Sequence, residues 1–150
     1  MIIHLTKELT KQHYQLLLEA DPSKKLVDDY TKRGQVYTIS DADCLIGIIV
    51  LLPTRPDTLE IVNLAVNELY RKQGYAQQLI THAFTTAKKH GYKTIEIGTG
   101  STSLNQLYLY QKCGFRMTGI DKDFFIRHYD KPIIENNLQL KDMVRLSLDL

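Results

Sequence analysis

The chain has only two cysteines among its 150 residues, Cys44 and Cys113, and they lie far apart. Such a pair predicts no disulfide framework, so a reducing cytoplasm is the expected location. The chain also lacks any run of 18 apolar residues, which a membrane-spanning helix would need. The N-terminal stretch MIIHLTKELTKQ lacks the apolar core of a signal peptide. These features predict a cytoplasmic protein with no membrane partner.

An excess of charge of one sign is also absent. The net charge is +2 and no run of five or six like charges occurs, so we expect no nucleic-acid partner. The five histidines are scattered without the spacing of metal ligands, and we expect no metal. Apolar residues make up 43% of the chain and charged residues 24%, which is typical of a globular protein. A length of 150 residues predicts one domain, residues 1–150.

The apolar pattern predicts seven strands and four helices. The strands are expected at 2–6, 35–41, 44–53, 58–66, 93–100, 115–121 and 141–150, and the helices at 8–20, 23–33, 75–90 and 101–113. Antiparallel strands in the first half and alternating strands and helices in the second predict a mixed α/β (α+β) fold. Its central sheet is expected to be mostly antiparallel, with helices on both faces. Residues 122–140 form a long connection, a kind of segment that is often functional.

The junction between the strand 58–66 and the helix 75–90 has the composition of an anion site. The first amide groups of a helix have no partner within it, and the helix dipole favours negative charge at that end. Gly74 lets the main chain approach a ligand closely, and Arg71 and Lys72 add positive charge. This pattern predicts a site for a phosphate or pyrophosphate. A plain turn with solvated cations is the alternative interpretation.

Two other phosphate-binding motifs do not fit this junction. A Walker A loop ends in Gly-Lys-Ser/Thr, and no such ending is present. A dinucleotide-binding loop has three spaced glycines and an acidic residue about 20 positions later, whereas this loop has one glycine.

Two stretches together resemble the GNAT superfamily of acetyl-CoA-dependent N-acetyltransferases. The stretch RKQGYA at 71–76 matches the pattern Gln/Arg-x-x-Gly-x-Gly/Ala that follows the fourth strand of that family. The stretch YQKCGF at 110–115 matches the Tyr-x-Lys-x-Gly-Phe pattern that ends its fourth helix. The C-terminal part is further similar to a bacterial, YvbK-like subgroup of unassigned substrate. The resemblance covers nearly the whole chain and implies a GNAT-like fold.

The resemblance implies a binding site for acetyl-CoA. Its pyrophosphate would lie on the loop formed by Arg71, Lys72, Gln73, Gly74, Tyr75 and Ala76. The pantetheine arm would lie along the main chain of Leu64, Ala65 and Val66, and the gap between this strand and the strand at 94–99 would admit the thioester. Many family members have an asparagine seven residues before the tyrosine, where this chain has Ser103. Ser103 or the nearby Asn105 would then contact the cofactor.

The resemblance and the chemistry of acetyl transfer together indicate two catalytic candidates. Tyr110 is expected to protonate the sulfur of coenzyme A, and its alternative role is that of a core aromatic residue. Tyr108 lies two positions away on another face of the helix and is the weaker candidate. Glu60 on the central strand is expected to be the base, with a solvated glutamate as the alternative. A main-chain amide near residues 64–66 would stabilise the developing oxyanion.

Candidates for acceptor binding lie on the central strand and in the segment DFFIRHYD at 123–130. Asn63 is expected to orient the acceptor or to satisfy the main chain at a bulge. Phe125 and Tyr129, with Phe124, would pack against a carbon chain, unless this segment is only a loop held by aromatic packing. Cys113 is expected to be an apolar filler, not a nucleophile.

These expectations predict an N-acetyltransferase that transfers the acetyl group of acetyl-CoA to an amine by direct attack. The acceptor would be a small-molecule or protein amine, and a homodimer remains open. Two alternatives are a non-catalytic acyl-CoA-binding module that regulates a partner and a structural protein that has kept the fold.

Overall fold

A computed structural model describes residues 2–150. In chain order the elements are β1 (Ile3–Leu5), α1 (Lys11–Ala20), α2 (Lys24–Arg33), β2 (Gln35–Asp41), β3 (Cys44–Arg55), β4 (Thr58–Val66), a 3₁₀ turn (Glu68–Tyr70), α3 (Tyr75–Lys89), β5 (Thr94–Gly100), α4 (Leu104–Lys112), β6 (Arg116–Asp121), α5 (Phe124–Arg127), β7 (Ile134–Glu135), β8 (Leu138–Gln139) and β9 (Met143–Asp149). The seven strands and four longer helices predicted from sequence are all present.

Seven strands form one sheet in the order β1-β2-β3-β4-β5-β9-β6. Only the β4–β5 pair is parallel, and the other five pairs are antiparallel. The mixed, mostly antiparallel sheet predicted from sequence is therefore confirmed. The strands β7 and β8 form a separate hairpin.

Apolar side chains cover both faces of the sheet. On one face, Leu17 of α1 and Val27 of α2 are fully buried in a cluster that includes Ile48 of β3. On the other face, Leu79 and Ile80 of α3 are fully buried in a second cluster. The central strand β4 contributes to both clusters, which explains its nearly continuous apolar sequence.

The parallel pair β4–β5 separates part of the way along its length. Residues 58–61 of β4 pair with residues 94–97 of β5, and no further pairs follow. Beyond this point β4 continues to Val66 beside β3, and β5 continues to Gly100 beside β9. A β-bulge accompanies the separation, because Val50 pairs with Asn63 while the next residue of β3 pairs with Ile61. Bulges bend a strand and redirect its side chains, and this one lies where β4 leaves β5.

The structure differs from the sequence expectations at two segments. Helix α1 begins at Lys11, three residues later than expected, because the Thr10 amide donates to Nδ1 of His13 at 2.9 Å and so caps the helix there. The connection 122–140 holds the one-turn helix α5 and the β7–β8 hairpin. Asn136 and Asn137 have φ values of 52° and 63°, the backbone geometry of a tight hairpin turn.

Candidate active site

A cavity of about 540 Å³ opens where β4 and β5 separate. Its wall is formed by residues of α2, β4, β5, α4 and β9, by the C-terminal end of α1, and by residues 123–130 around α5, here called the α5 segment. The candidate residues Glu60, Asn63, Leu64, Ser103, Tyr110, Phe125 and Tyr129 all line it. The strand separation thus brings together side chains that the sequence distributes over 70 positions.

Glu60 is a buried carboxylate in a network of charges that reaches the surface at Arg55. It is 9% exposed and accepts a hydrogen bond of 3.2 Å from Arg145. Arg145 also lies 3.7 Å from Glu96, and Glu96 lies 3.5 Å from Arg55. Glu60 is therefore not a solvated residue at a sheet edge. The network fixes its carboxylate in the wall of the cavity.

Tyr110 belongs to the core and to the cavity wall at once. It is 6% exposed, and its ring lies edge-on to Phe115 with centroids 6.3 Å apart. Burial raises the pKa of the Tyr110 phenol, and the nearby Cys113 adds to this effect. The hydroxyl therefore stays protonated at neutral pH, as a proton donor must. Tyr108 is 69% exposed and does not line the cavity.

Asn63 connects the central strand to the first two helices. Its amide nitrogen donates to the main-chain oxygen of Leu17 at 3.1 Å and to the hydroxyl of Tyr30 at 2.8 Å. Its Oδ1 is buried and has no hydrogen-bond partner among the described residues. A buried amide oxygen without a partner is uncommon in folded proteins.

The Asp21 carboxylate is held by two tyrosine hydroxyls. Tyr30 donates to Oδ2 at 2.9 Å and Tyr129 donates to Oδ1 at 2.7 Å. Burial first, and the negative charge of Asp21 second, raise the pKa of both phenols. The α5 segment is thereby attached to the loop between α1 and α2. The rings of Phe125 and Tyr129, with centroids 5.4 Å apart, form an aromatic part of the wall.

A second carboxylate, that of Glu135 in β7, lies near the start of α4. Its Oε1 accepts hydrogen bonds from Thr102 at 2.9 Å and from Ser103 at 2.6 Å. Ser103 is buried by this contact and lines the cavity, whereas Asn105 lies on the exposed side of α4. Of the two residues proposed to contact the cofactor here, only Ser103 faces the cavity.

The loop 71–76 has an open main chain at the start of α3. Gly74 has a φ of 85°, which is a left-handed conformation that glycine adopts readily, and a Cβ added there would meet no heavy atom within 4 Å. The first main-chain bond of the helix runs from Gln78 to Gly74, so the preceding amides lie at the end of the helix that favours anions. This geometry is that of a helix start at which anions bind in proteins.

The cations of this loop differ in their partners. Arg71 donates to the main-chain oxygen of Val66 at 3.2 Å and lies 3.5 Å from Glu19. Lys72 is exposed and forms no ion pair within residues 2–150. Gln73, Tyr75 and Ala76 complete the loop and do not line the main cavity. An anion here would rely chiefly on the helix amides and Lys72.

Sequence reasoning missed six charged residues of the cavity lining: Glu19, Asp21, Asp29, Arg33, Glu135 and Arg145. The alternation of side chains along its strand could have indicated Arg145. It lies between the buried residues Val144 and Leu146 and so points to the opposite face of the sheet, where Glu60 and Glu96 lie. Asp21 follows helix α1, and Glu135 lies in the first strand of the short hairpin. No local sequence pattern distinguishes either residue.

Two kinds of feature are absent from residues 2–150. No helix there is long and apolar enough to cross a membrane. No group of three or more histidine, cysteine, aspartate or glutamate side chains is arranged to hold a metal ion.

The structure combines three features: a sheet whose parallel pair separates, a glycine loop before α3 and a buried tyrosine in α4. Together they define an acyl-transfer fold, and comparison with known proteins identifies the family. The sequence profile of the Acetyltransferase (GNAT) family matches residues 3–115. The chain belongs to this family, as the sequence motifs predicted, and it is a GNAT-type, acetyl-CoA-dependent N-acetyltransferase.

Individual relatives align with this chain over nearly its full length. The uncharacterized N-acetyltransferase YvbK of Bacillus subtilis is 57% identical over 148 residues, which cover 99% of this chain and 96% of that protein. A crystal structure of a Bacillus subtilis acetyltransferase in complex with CoA has a TM-score of 0.94 at 57% identity, covering 99% of this chain and 97% of that one. A GNAT acetyltransferase from Elizabethkingia anophelis with acetyl-CoA bound has a TM-score of 0.95 at 44% identity, with 99% and 97% covered. The similarity to a YvbK-like subgroup and the GNAT-like fold are confirmed.

Proposed function

We propose that this protein transfers the acetyl group of acetyl-CoA to a small-molecule or protein amine by direct attack in a ternary complex. The observation that carries the proposal is that Glu60 and Tyr110 line one cavity, which opens where β4 separates from β5. The two free cysteines are compatible with a reducing, cytoplasmic location.

The cosubstrate supplies an activated acyl group as a thioester. The start of α3 at Gly74 and Ala76, with Arg71 and Lys72, would hold its pyrophosphate, with Gln73 and Tyr75 completing the loop. The main chain of Leu64, Ala65 and Val66 is paired with β3 but no longer with β5, and its edge toward β5 would hold the pantetheine arm. Ser103 lies in the wall near this path, whereas the exposed position of Asn105 gives it no comparable support.

Proton transfer is assigned to the two catalytic candidates. Glu60 takes a proton from the attacking amine, directly or through a water molecule, while Arg145 holds its carboxylate in place. Tyr110 gives its proton to the leaving sulfur, and a phenol, with an ordinary pKa of about 10, carries that proton at neutral pH. A positioned group of this kind contributes on the order of 10²–10⁴-fold to the rate.

Acceptor binding is assigned to Asn63, Phe125 and Tyr129. Asn63 lines the cavity on the central strand, where it would orient the acceptor amine. The rings of Phe125 and Tyr129 offer an apolar surface to a carbon chain.

Thermal melting with and without acetyl-CoA, followed by a thiol-release assay over a panel of amines, tests the proposal. At 100 times its dissociation constant, acetyl-CoA should stabilise the protein by about 2.7 kcal/mol. Thiol release that depends on the amine supports the transferase. Binding without turnover of any amine would favour an acyl-CoA-binding regulatory module, and no melting shift at millimolar acetyl-CoA would contradict both.

A further inference from the structure

Every arginine in the cavity wall is already paired with a carboxylate. Arg145 lies 3.2 Å from Glu60 and 3.7 Å from Glu96. At the rim, Arg33 lies 2.8 Å from Asp29. No lysine and no other arginine among residues 2–150 lines the cavity. The wall therefore has no spare positive charge for an anionic group of an acceptor.

Two carboxylates of the same wall, by contrast, have no cationic partner. Asp21 accepts hydrogen bonds from the hydroxyls of Tyr30 and Tyr129 and from the main-chain amide of Ser23, and Glu135 accepts from the hydroxyls of Thr102 and Ser103. Neither forms an ion pair with any lysine, arginine or histidine in the part of the chain that the structure describes. Neutral hydroxyl donors fix the position of a carboxylate but leave its net charge in place. A partly desolvated charge of this kind is costly until a counter-charge arrives.

Aromatic rings lie next to the Asp21 carboxylate. Tyr129 reaches Asp21 through its hydroxyl, and its ring packs on Phe125, with centroids 5.4 Å apart. Phe124 lies 5.1 Å from Phe125, centroid to centroid, and also lines the cavity. Aromatic faces suit both methylene groups and cations. The wall thus combines unpaired negative charge with an apolar, cation-tolerant surface.

We propose that the acceptor is a small linear diamine or polyamine: an amine with at least one further positive charge and no carboxylate. This inference rests on the proposed function and specifies its substrate class. Asp21 holds the distal ammonium, Phe125 and Tyr129 pack on the methylene chain, and Glu135 adds to the negative potential.

The chemistry at the near amine is unchanged. The near ammonium first gives one proton to Glu60 and becomes the neutral nucleophile. A C–N bond then forms as the C–S bond of the thioester breaks, the sulfur takes a proton from Tyr110, and the new amide nitrogen gives up its second proton, which restores the Tyr110 hydroxyl. The distal ammonium keeps its charge throughout. Acetylation removes one positive charge, so the product is held less tightly than the substrate.

Other acceptors match this wall less well. An amino acid would bring a carboxylate into a cavity that has two unpaired carboxylates and no free cation. A monoamine would leave Asp21 without a counter-charge. A diamine should therefore exceed a monoamine of equal length by on the order of tenfold or more in kcat/KM.

The experiment compares kcat/KM for 1,4-diaminobutane, spermidine, 1-aminobutane and lysine in the wild type and in Asp21→Asn. We expect the two polyamines to be preferred, and we expect the ratio of diamine to monoamine to fall about tenfold in the variant. Glu8→Gln is the matched control, because it removes an exposed carboxylate outside the cavity, and its ratio should equal that of the wild type. If Asp21→Asn does not fold, Glu135→Gln takes its place and should lower the same ratio.

A binding measurement gives a readout independent of turnover. Calorimetry of 1,4-diaminobutane with the coenzyme A-loaded protein should show binding that Asp21→Asn weakens. A missing melting shift with acetyl-CoA would refute the proposed function itself. A normal melting shift would leave the proposed function intact. Three results would then overturn only the polyamine inference: a preference for 1-aminobutane or lysine, no binding of diamines, or equal losses of kcat/KM for diamine and monoamine in Asp21→Asn.

Discussion

The hydroxyl of Tyr129 donates a 2.7 Å hydrogen bond to Asp21, which lies 108 positions earlier in the chain. The helix α5 that precedes Tyr129 has four residues, and none of them is buried. A helix this short is not stable by itself. The bond to Asp21 therefore helps to hold this side of the cavity in place, together with the main-chain amide bonds of Phe125 to Lys141 at 3.0 Å and of Asp123 to Asp142 at 2.8 Å.

Replacing Tyr129 with phenylalanine should release the α5 segment without unfolding the protein. A hydrogen bond to a charged group is worth about 1.5–3 kcal/mol, and its loss should appear as faster amide exchange over residues 123–130, with little change in global stability. The KM for the acceptor should rise more than kcat falls. Tyr108→Phe is the control, because the Tyr108 side chain is exposed. Unchanged exchange over 123–130 would show that the bond does not hold the segment.

The glycines at the two ends of α3 give a matched test of the anion site. Gly74 and Gly91 have φ values of 85° and 78°, and an added Cβ meets open space at both. Glutamate at either position costs about 1–2 kcal/mol of backbone strain. Only Gly74→Glu should weaken acetyl-CoA binding, because it puts bulk and negative charge at the start of the helix.

Calorimetric titration with acetyl-CoA measures this difference directly. We expect the dissociation constant of Gly74→Glu to rise at least about tenfold, which corresponds to 1.4 kcal/mol, while Gly91→Glu binds like the wild type. Equal affinities in the two variants would place the pyrophosphate elsewhere.

Arg145 contacts two glutamates, and this arrangement separates a catalytic role from a structural one. Glu60 lines the cavity, whereas Glu96 contacts the same guanidinium and does not line it. Glu60→Gln should lower kcat by about 10²–10⁴-fold if Glu60 is the base. Glu96→Gln should have a much smaller effect. Steady-state kinetics of both variants at saturating acetyl-CoA distinguishes the catalytic role from the structural one. Similar kcat values in the two variants would exclude Glu60 as the base.

The sheet and the loop before α3 could be predicted because their signals are local. The apolar run of β4 and the single glycine after two cations are readable in a short window of sequence. The pattern around Tyr110 likewise lies within six residues. Each of these features depends on the chemistry of neighbouring positions, and the structure places them at one end of the separated strands.

The charge arrangement of the cavity could not be predicted because its contacts join distant parts of the chain. Arg145 and Glu60 are 85 positions apart, and Tyr129 and Asp21 are 108 apart. Ser103 bonds to Glu135 in the β7–β8 hairpin, and Asp21 bonds to Tyr129 in the α5 segment. Both contacts depend on where these two segments pack in the folded protein. The two-residue strands β7 and β8 are also too short to give an alternating pattern.

Tyr110 should be the proton donor in acetyl transfer, and removing its hydroxyl should slow turnover selectively. Tyr110→Phe should lower kcat by about 10²–10⁴-fold while acetyl-CoA still raises the melting temperature. Tyr108→Phe, two positions away on an exposed face, should retain wild-type kinetics. A wild-type kcat in Tyr110→Phe, measured by thiol release, would exclude the phenol as the acid.

The same tyrosine should make folding sensitive to alkaline pH. Burial raises the pKa of Tyr110 above its value of about 10 in the unfolded chain. The folded protein therefore holds this proton more tightly, so its contribution to stability is complete below pH 10 and is lost as the pH rises toward the folded-state pKa. Between pH 10 and 11 the wild type should lose up to about 1.4 kcal/mol more unfolding free energy than Tyr110→Phe. Urea unfolding at pH 9, 10 and 11 measures both slopes, and parallel slopes would mean that the buried phenol ionises as readily in the folded state as in the unfolded one.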